Sequence, residues 1–378
     1  MKVLFLTDGI FPFVLGGMQK HSTILIKLLA ERGCELSVVH TGGKDYSELK
    51  LVQQFSGLHI KFILVEFPVL SKLPGHYVRE NKLYSQQSFQ KLGNSVNDFD
   101  LVYAQGFTGY HFVKKRKEKE LRVPVLVNLH GFEMFQNPPD FKARLGNVFL
   151  KQIAVYLLKH ADYVFSFGAR LNEVLERANV DKAKILIQSN AIEESWIKST
   201  CQLAKVRSFV FIGRNERRKG LTELLAAIEI LKSKNLIFQF HFIGPAKVEM
   251  NDSKNDAFFH GEIRDIEKIQ KILDQCDCIV VPSHSEGMPT VILEAMARSL
   301  AVIATDVGAV SRMVKDNGIL IHEPKPELIA DALLKIIHMS DDDLKLMKAK
   351  SHDLVQEKFI WPVVADDIVK QFEKIIGS

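Results

Sequence analysis

Residues 278–297 read CIVVPSHSEGMPTVILEAMA, and this stretch decides the fold. Its first four residues form an uninterrupted apolar run, which predicts a buried strand. A loop with Gly287 follows, and Pro289 is placed as in the first turn of a helix. Strand, loop and helix in this order are typical of a parallel α/β sheet, in which ligands bind beyond the carboxyl ends of the strands.

The same order of elements recurs along the whole chain. Apolar runs of strand length alternate with helical patterns such as residues 17–31 and 144–159. The predicted strands are residues 3–7, 36–40, 60–65, 101–104, 125–129, 163–167, 185–188, 209–212, 238–243, 278–281, 302–304 and 319–321. No strong pattern persists at residues 190–205. We therefore predict two doubly wound Rossmann-like α/β domains, 1–190 and 191–358, facing a central cleft.

Composition excludes several classes of protein. The chain has 378 residues, 47% of them hydrophobic and 25% charged, which is ordinary for two globular domains. A net charge of +5 is too mild to indicate nucleic-acid binding. The four cysteines show no disulfide or metal-site spacing, and Cys276 and Cys278 are interpreted as strand residues. Without a signal-peptide or membrane-span pattern, a cytoplasmic protein is expected.

A basic segment follows the strand predicted at 209–212. Residues 213–220 read GRNERRKG. Arg214 can bind two oxygens of a diphosphate, Lys219 adds a point charge, and the next helix begins with its positive dipole end. A solvated basic turn explains the same residues, and this segment alone leaves both interpretations open.

The 278–297 stretch carries two carboxylates with seven residues between them, Glu286 in the loop and Glu294 in the helix. Each can accept hydrogen bonds from vicinal hydroxyls, one pair on a sugar and the other on a ribose. The free amides of Met288, Thr290 and Val291 would face an anion or a hydroxyl. Gly287 and Pro289 shape the loop and the first helical turn that carry these amides. Alternatively, Glu286 caps the helix and Glu294 is only half-buried, but two cations at the same sheet edge argue against this.

These motifs resemble retaining glycosyltransferases of family 4, which have the two-Rossmann GT-B fold. The resemblance rests on GR with KG at 213–220, on EGMP at 286–289 and on LEAMA at 293–297. TDVGA at 305–309 and NGILI at 317–321 extend it over nearly the whole chain. It implies hexosyl transfer from a nucleoside diphosphate sugar, such as a UDP-sugar, to a hydroxyl acceptor in cell-surface polysaccharide or glycolipid synthesis.

The resemblance also implies roles for residues of the second half. Arg214 and Lys219 would neutralise the departing diphosphate, so that no essential metal or other cofactor is expected. Glu286 would hold the sugar, Glu294 the ribose, and the backbone at Ile263 would pass beside the base. No carboxylate nucleophile is apparent, which favours a same-face displacement. Residues 359–378 would cross back to the N-terminal domain.

In the first half, glycines and a histidine follow predicted strands. Gly16 and Gly17 do not fit G-x-G-x-x-G, which disfavours a dinucleotide cofactor. The resemblance brings this loop to the donor phosphate or sugar; otherwise the pair simply opens a helix. His130 ends a strand, with Glu133 able to orient it or to cap a helix. The resemblance places His130 near the reacting sugar, and its role as proton mover or positioner stays open.

Three further sequence features bear on a metal site, the sugar specificity and membrane contact. Asp98 and Asp100 look like a metal-binding D-x-D, but they precede a strand and are interpreted as a turn. NAIE at 190–193 and Val310-Ser311 depart from the family pattern, which leaves the sugar undetermined. The basic apolar residues 141–158 are predicted to cover the sheet, with contact at the inner face of a membrane as the alternative.

The expected partners are a nucleotide-sugar donor and a saccharide or lipid-linked acceptor, and no nucleic acid. Two other functions stay open. A sugar-nucleotide 2-epimerase has the same architecture but needs acid and base groups at C2 and no acceptor. A non-catalytic sugar-nucleotide-binding protein would leave the combined set of Arg214, Lys219, Glu286 and Glu294 without a use.

Overall fold

The computed structural model describes residues 1–43, 45–70, 75–135, 141–198, 202–244 and 256–377. Residues 199–201, inside the boundary region predicted at 190–205, lie outside this description. The chain divides into two compact units. The first comprises Met1–Ser166, Leu171–Gln188 and Ala365–Ser378, and the second comprises Phe167–Arg170 and Ser189–Val364.

The first unit is built on a seven-stranded parallel sheet in the order β3-β2-β1-β4-β5-β6-β7. Its strands are β1 Lys2–Leu6, β2 Glu35–His40, β3 Ile60–Leu64, β4 Leu101–Gln105, β5 Val125–Asn128, β6 Tyr163–Ser166 and β7 Ile185–Ile187. The helices between them are α1 Gly17–Glu31, α2 Glu48–Gln54, α3 His76–Leu92, α4 Tyr110–Lys117, α5 Phe141–His160 and α6 Arg170–Arg177.

The second unit repeats this plan with a six-stranded parallel sheet in the order β10-β9-β8-β11-β12-β13. Its strands are β8 Ser208–Ile212, β9 Gln239–Ile243, β10 Asp256–Gly261, β11 Cys278–Val281, β12 Ala301–Thr305 and β13 Gly318–Ile321. Its helices are α7 Leu221–Ser233, α8 Ile266–Leu273, α9 Thr290–Ala297, α10 Val310–Met313, α11 Pro326–His338 and α12 Asp341–Lys358, and the last helix of the chain is α13 Trp361–Ile376.

The final helix carries residues that pack in the first unit. The ring of Phe372 lies 5.3 Å from that of Tyr103 on β4, measured between centroids. Gln371 Nε2 donates a hydrogen bond to the carbonyl oxygen of Ile187 at 2.9 Å. The chain therefore ends on the sheet with which it began.

Most predicted strands are confirmed, with ends shifted by one or two residues. β11 coincides with the predicted strand, and all four of its residues are buried. β10 is absent from the strands predicted from the sequence. It is an edge strand that carries Asp256 and His260 among its few apolar residues, so its pattern is weak. The interpretation of Cys276 as a strand residue is wrong, because Cys276 lies in the turn before β11 and donates its N–H to Leu273 O.

Each sheet reverses its strand order at one place, and there the carboxyl ends leave a crevice. In the first unit the reversal lies between β1 and β4, because the chain first adds β2 and β3 on one side. In the second unit it lies between β8 and β11 for the same reason. The loops after β8 and β11 are those that carry Lys219 and Glu286.

A buried ion pair holds the opposite, amino-terminal end of the second sheet. Lys348 on α12 and Asp277 before β11 are 2% and 0% exposed. Lys348 Nζ donates to Asp277 Oδ1 at 3.3 Å and to the carbonyl oxygens of Gln202 and Cys276. The Asp277 carboxylate also accepts the N–H of Ser208 at the start of β8. The pair therefore joins α12 to the two central strands.

We expect Lys348→Met to lower the free energy of unfolding by about 3 kcal/mol or more, because it leaves the Asp277 charge buried without its partner. Urea unfolding followed by circular dichroism measures this. Lys345→Met is the matched control on the same helix, where the lysine side chain is 48% exposed and should matter little. Equal effects of the two substitutions would contradict the assignment.

Candidate active site

The centre of the candidate site is a contact between Lys219 and Glu286 in the second unit. Lys219 ends a 3₁₀ turn after β8, and Glu286 lies in the loop between β11 and α9. Lys219 Nζ donates to Glu286 Oε1 at 2.6 Å, and the two side chains are 15% and 7% exposed. The reversal of strand order therefore brings a buried carboxylate against a cation.

Two further side chains hold the Glu286 carboxylate. Ser283 Oγ, itself 1% exposed, donates to Oε1 at 2.8 Å. An Nη of Arg218 lies 3.4 Å from Oε2. Neither residue is among those predicted from the sequence. Their signal is weak, because Ser283 is a small residue in a loop and Arg218 is one member of a basic run.

Glycines allow the loops of this site to approach each other closely. Gly220 has φ +70°, and a Cβ there would lie 1.8 Å from the carbonyl oxygen of Pro282. Gly308 has φ +57°, and a Cβ would lie 2.2 Å from the carbonyl oxygen of Glu286. His284 donates its N–H to Arg218 O at 2.7 Å. Backbone contacts therefore fix the loops after β8, β11 and β12 to one another.

Arg214, the other cation predicted to meet the diphosphate, follows β8 and is largely exposed to solvent. Its side chain is 71% exposed, and one Nη lies 2.9 Å from Glu216 Oε1. The same glutamate accepts from Arg218 Nε at 2.8 Å. Glu216 thus links the exposed Arg214 to the buried cluster around Glu286. A guanidinium in this position can meet an anion that enters from solvent.

The remaining predicted donor residues surround the start of α9. Gly287 is half-buried, Met288 is 4% exposed, and Pro289 is the N-cap residue, with no side-chain capping hydrogen bond. The first residue of the helix, Thr290, is exposed. Glu294 is half-buried in the second half of α9. Without a side-chain cap, the first amides of α9 can serve a ligand.

Ile263 lies apart from this cluster, beyond the carboxyl end of β10. It lines an open groove of about 830 Å³. The other lining residues are His260, Glu262, Arg264, Asp265, Lys268, Lys271 and Ile272. Since β9 separates β10 from β8, the groove and Lys219 lie at the same sheet edge, two strands apart.

In the first unit, Gly16 and Gly17 open α1 with exposed backbone. Gly16 is the N-cap residue and Gly17 the first helical residue. Gln19 Nε2 donates to Asp8 Oδ1 at 2.7 Å and so ties the start of α1 to the end of β1. The glycine pair therefore lies at the crevice of the first sheet.

His130 follows β5 and has the left-handed backbone φ of +59°. Its N–H donates to Asn128 Oδ1 at 3.0 Å, and its Nε2 hydrogen-bonds to Gln105 Oε1. The ring of His21 packs edge-on against it, with centroids 4.7 Å apart. Burial, and then the neighbouring His21, hold the pKa of His130 well below its usual range. The predicted role of Glu133 concerns a side chain outside the described part of the structure.

The first-unit contacts involve three residues that were not predicted as functional: His21, Gln105 and Asn128. Gln105 and Asn128 are the last residues of β4 and β5. A polar residue at the end of an otherwise apolar strand is the signal that could have identified them.

The described side chains form no group of three or more His, Cys, Asp or Glu placed to hold a metal ion. Asp100 Oδ2, in the D-x-D sequence, accepts the N–H of Lys2 at 2.7 Å, a contact just before β4. No helix among the described residues is long and apolar enough to cross a membrane.

Comparisons with known proteins agree with this geometry. A model of group 1 glycosyl transferases matches residues 206–339, and a model of glycosyltransferase family 4 matches residues 15–196. An uncharacterised glycosyltransferase of Methanocaldococcus jannaschii is 22% identical over 99% of both chains. The putative teichuronic acid biosynthesis glycosyltransferase TuaC of Bacillus subtilis is 34% identical over 57% of this chain and 56% of its own.

The fold is also that of a solved structure, the Anabaena protein HepE in complex with UDP-glucose. The TM-score is 0.67 at 16% identity, with 99% of this chain and 100% of HepE covered. The two family models together match well over half of the chain. The chain therefore belongs to the group 1, family 4 glycosyltransferases and has two Rossmann-like domains of the GT-B type.

Proposed function

We propose that this glycosyltransferase moves a hexosyl unit from a nucleoside diphosphate sugar to a hydroxyl acceptor, with retention at the anomeric carbon. The observation that carries the proposal is the buried Glu286 carboxylate, which meets Lys219 at the crevice of the second sheet. A fixed carboxylate accepts hydrogen bonds from sugar hydroxyls, while the adjacent cation attracts a phosphate. One cluster thus offers partners for both parts of the donor.

The two predicted cations have different roles in binding the diphosphate. Lys219 has three N–H groups and gives one to Glu286, so two remain for phosphate oxygens. Arg214, exposed and held by Glu216, can bind two oxygens at once as the donor enters. Together they stabilise the charge that develops on the leaving diphosphate, the task that a metal ion performs in other transferases.

The rest of the donor extends along the same sheet edge. Glu294 accepts from the ribose hydroxyls, the first amides of α9 face the diphosphate and sugar, and the backbone of Ile263 lies beside the base. The groove at Ile263 supports this placement, because it is open and lies beyond β10. HepE, which shares the fold, has been solved with UDP-glucose, and this supports a uridine nucleotide.

Given retention, the state of the Glu286 carboxylate bears on the mechanism that achieves it. Its oxygens already accept hydrogen bonds from Lys219, Ser283 and Arg218. Lone pairs that are engaged in this way make the group a poor nucleophile. A same-face displacement, in which the acceptor oxygen attacks beside the departing diphosphate, therefore fits the site better than a covalent glycosyl-enzyme.

The acceptor we propose is a saccharide or a lipid-linked molecule of cell-surface polysaccharide or glycolipid synthesis. TuaC, a putative teichuronic acid biosynthesis glycosyltransferase, supports a role in polysaccharide synthesis. Charge in the first unit supports contact with an anionic membrane surface. Helices α3 and α4 carry three and four Lys or Arg residues, and the described part of α5 carries two, against the single acid Glu80. α4 packs against both neighbours.

Aromatic rings accompany these charges. Lys82 Nζ lies 4.7 Å from the ring centroid of Tyr110, and Lys117 Nζ lies 5.8 Å from that of Tyr156. Lysine beside tyrosine suits the interface between water and lipid. The side chains of Lys142 and Arg144 are outside the described part of the structure, and the proposal does not depend on them.

Lys219→Ala and Glu286→Ala should each lower kcat about 10²-fold or more, because each removes a group that meets the donor in the transition state. The rate of nucleoside diphosphate release with donor and acceptor measures this. Lys234→Ala, at an exposed lysine beyond α7, is the matched control and should leave the rate unchanged. Unimpaired transfer by both site variants would refute the assignment.

Product analysis with the donor alone separates the three candidate functions. Transfer predicts that the donor stays intact or is slowly hydrolysed, whereas a 2-epimerase would yield the epimeric donor. A binding protein would be stabilised by the donor without any product. A donor at about 100 times its dissociation constant adds about 2.7 kcal/mol of stability, so a thermal-shift panel of sugar nucleotides first identifies the donor to use.

Lys82→Glu and Lys117→Glu should each weaken binding to phosphatidylglycerol vesicles about fivefold or more, since one lysine near an anionic surface contributes about 1 kcal/mol. Co-sedimentation measures this, with phosphatidylcholine vesicles as the neutral surface. Lys234→Glu is the control charge reversal in the second unit. If the wild-type protein does not bind anionic vesicles, the proposed membrane contact is wrong.

A further inference from the structure

Side-chain amides meet a histidine pair at the crevice of the first sheet. Asn128 ends β5, Gln188 directly follows β7, and His21 lies on α1. These three residues are 2%, 1% and 8% exposed. Each amide has one end that only donates and one that only accepts, so the contacts determine which way each one points.

The chain of hydrogen bonds starts from a group that can only donate. The backbone N–H of His130 donates to Asn128 at 3.0 Å, so the side-chain oxygen of Asn128 must be the end that faces it. Asn128 Nδ2 then donates to Gln188 Oε1 at 2.9 Å. With its oxygen engaged there, Gln188 turns Nε2 toward Nε2 of His21, 3.1 Å away.

This last contact decides the protonation of His21. An amide nitrogen can only donate, so His21 Nε2 must accept and carries no proton. A neutral imidazole with a bare Nε2 has its proton on Nδ1. The hydroxyl of Tyr103 agrees with these orientations, because it accepts from Asn128 Nδ2 at 3.2 Å and donates to Gln188 Oε1 at 3.4 Å.

We propose that Asn128 and Gln188 are positioning residues that fix His21 as a neutral, Nδ1-protonated ring, edge-on against His130. The pair then stays uncharged beside the crevice of the first sheet, so that it is neither a proton-transfer pair nor an anion clamp. That a sugar enters this crevice rests on the proposed function. The tautomer itself rests only on the contacts of the first unit.

The electrostatic surroundings agree with neutral rings. Burial lowers the pKa of His21 to about 4, and burial followed by His21 lowers that of His130. The amides of Gln105 and Gln188 contact the two rings, Asn128 accepts the backbone N–H of His130, and the phenol of Tyr103 completes the network. Burial also raises the pKa of Tyr103, which stays neutral. Because a lowered histidine pKa favours the uncharged form, His21 should gain a proton only as the pH falls through about 4.

A long-range ¹H–¹⁵N correlation spectrum of the full chain, labelled at histidine, tests the tautomer directly. The His21 signals, assigned by their loss in His21→Gln, should show protonated Nδ1 and bare Nε2, with no titration above pH 5. Protonated Nε2, or a cationic ring at pH 7, would overturn the proposal. No substrate is needed, so this outcome is independent of whether transfer is observed.

Gln188→Glu tests the part played by the amide. Its carboxylate can accept from His21 Nε2, so we expect the proton to move to Nε2 or the pKa of His21 to rise by about one unit or more. Gln86→Glu, at an exposed position on α3, should change neither. An unchanged tautomer and pKa in folded Gln188→Glu would overturn the proposal, and if that variant does not fold, the wild-type spectrum still decides.

In a working transfer assay, Gln188→Leu should lower kcat about tenfold or more, because a misplaced ring loses its alignment with the reacting sugar. Thermal stabilisation by UDP should not change, since the predicted nucleotide residues belong to the second unit. Unchanged kcat would refute the positioning role. Failure of transfer in the wild-type protein would instead refute the proposed function.

Discussion

The contact between Lys219 and Glu286 is the interaction on which the candidate site depends. Burying two charges costs more than their attraction returns unless geometry and extra hydrogen bonds are good. Here Ser283 and Arg218 supply the extra donors, and backbone contacts at Gly220 and Gly308 bring the loops close enough. The pair forms here because the parallel strands β8 and β11 present neighbouring carboxyl ends.

Much of the fold could be predicted from local pattern. The helix at 17–31 coincides with the sequence prediction, because the glycine pair at 16–17 marks its start. Ser340, followed by three aspartates, is a typical start of a helix, and in α12 its side chain accepts the N–H of Asp343. β10 was not predicted because an edge strand buries few side chains, so its residues need not form an apolar run.

The site was predictable only in part, for a physical reason. Lys219 and Glu286 follow strands and carry charge, so their positions could be inferred from order alone. The bonds from Gln188 reach Asn128, 60 residues away, and His21, 167 residues away, and no local pattern encodes such pairs. Arg214 shows the same limit, since its pairing with Glu216 depends on side-chain direction rather than on sequence spacing.

The close backbone approach at Gly220 and Gly308 has a consequence for the thermodynamics of binding. Loops already fixed to one another have few conformations left to lose, so a ligand orders little main chain when it arrives. The loss of freedom on binding then falls on exposed side chains, above all the long, solvated Arg214. We therefore expect the entropy lost on association to come mainly from the Arg214 side chain rather than from the main chain of the loops.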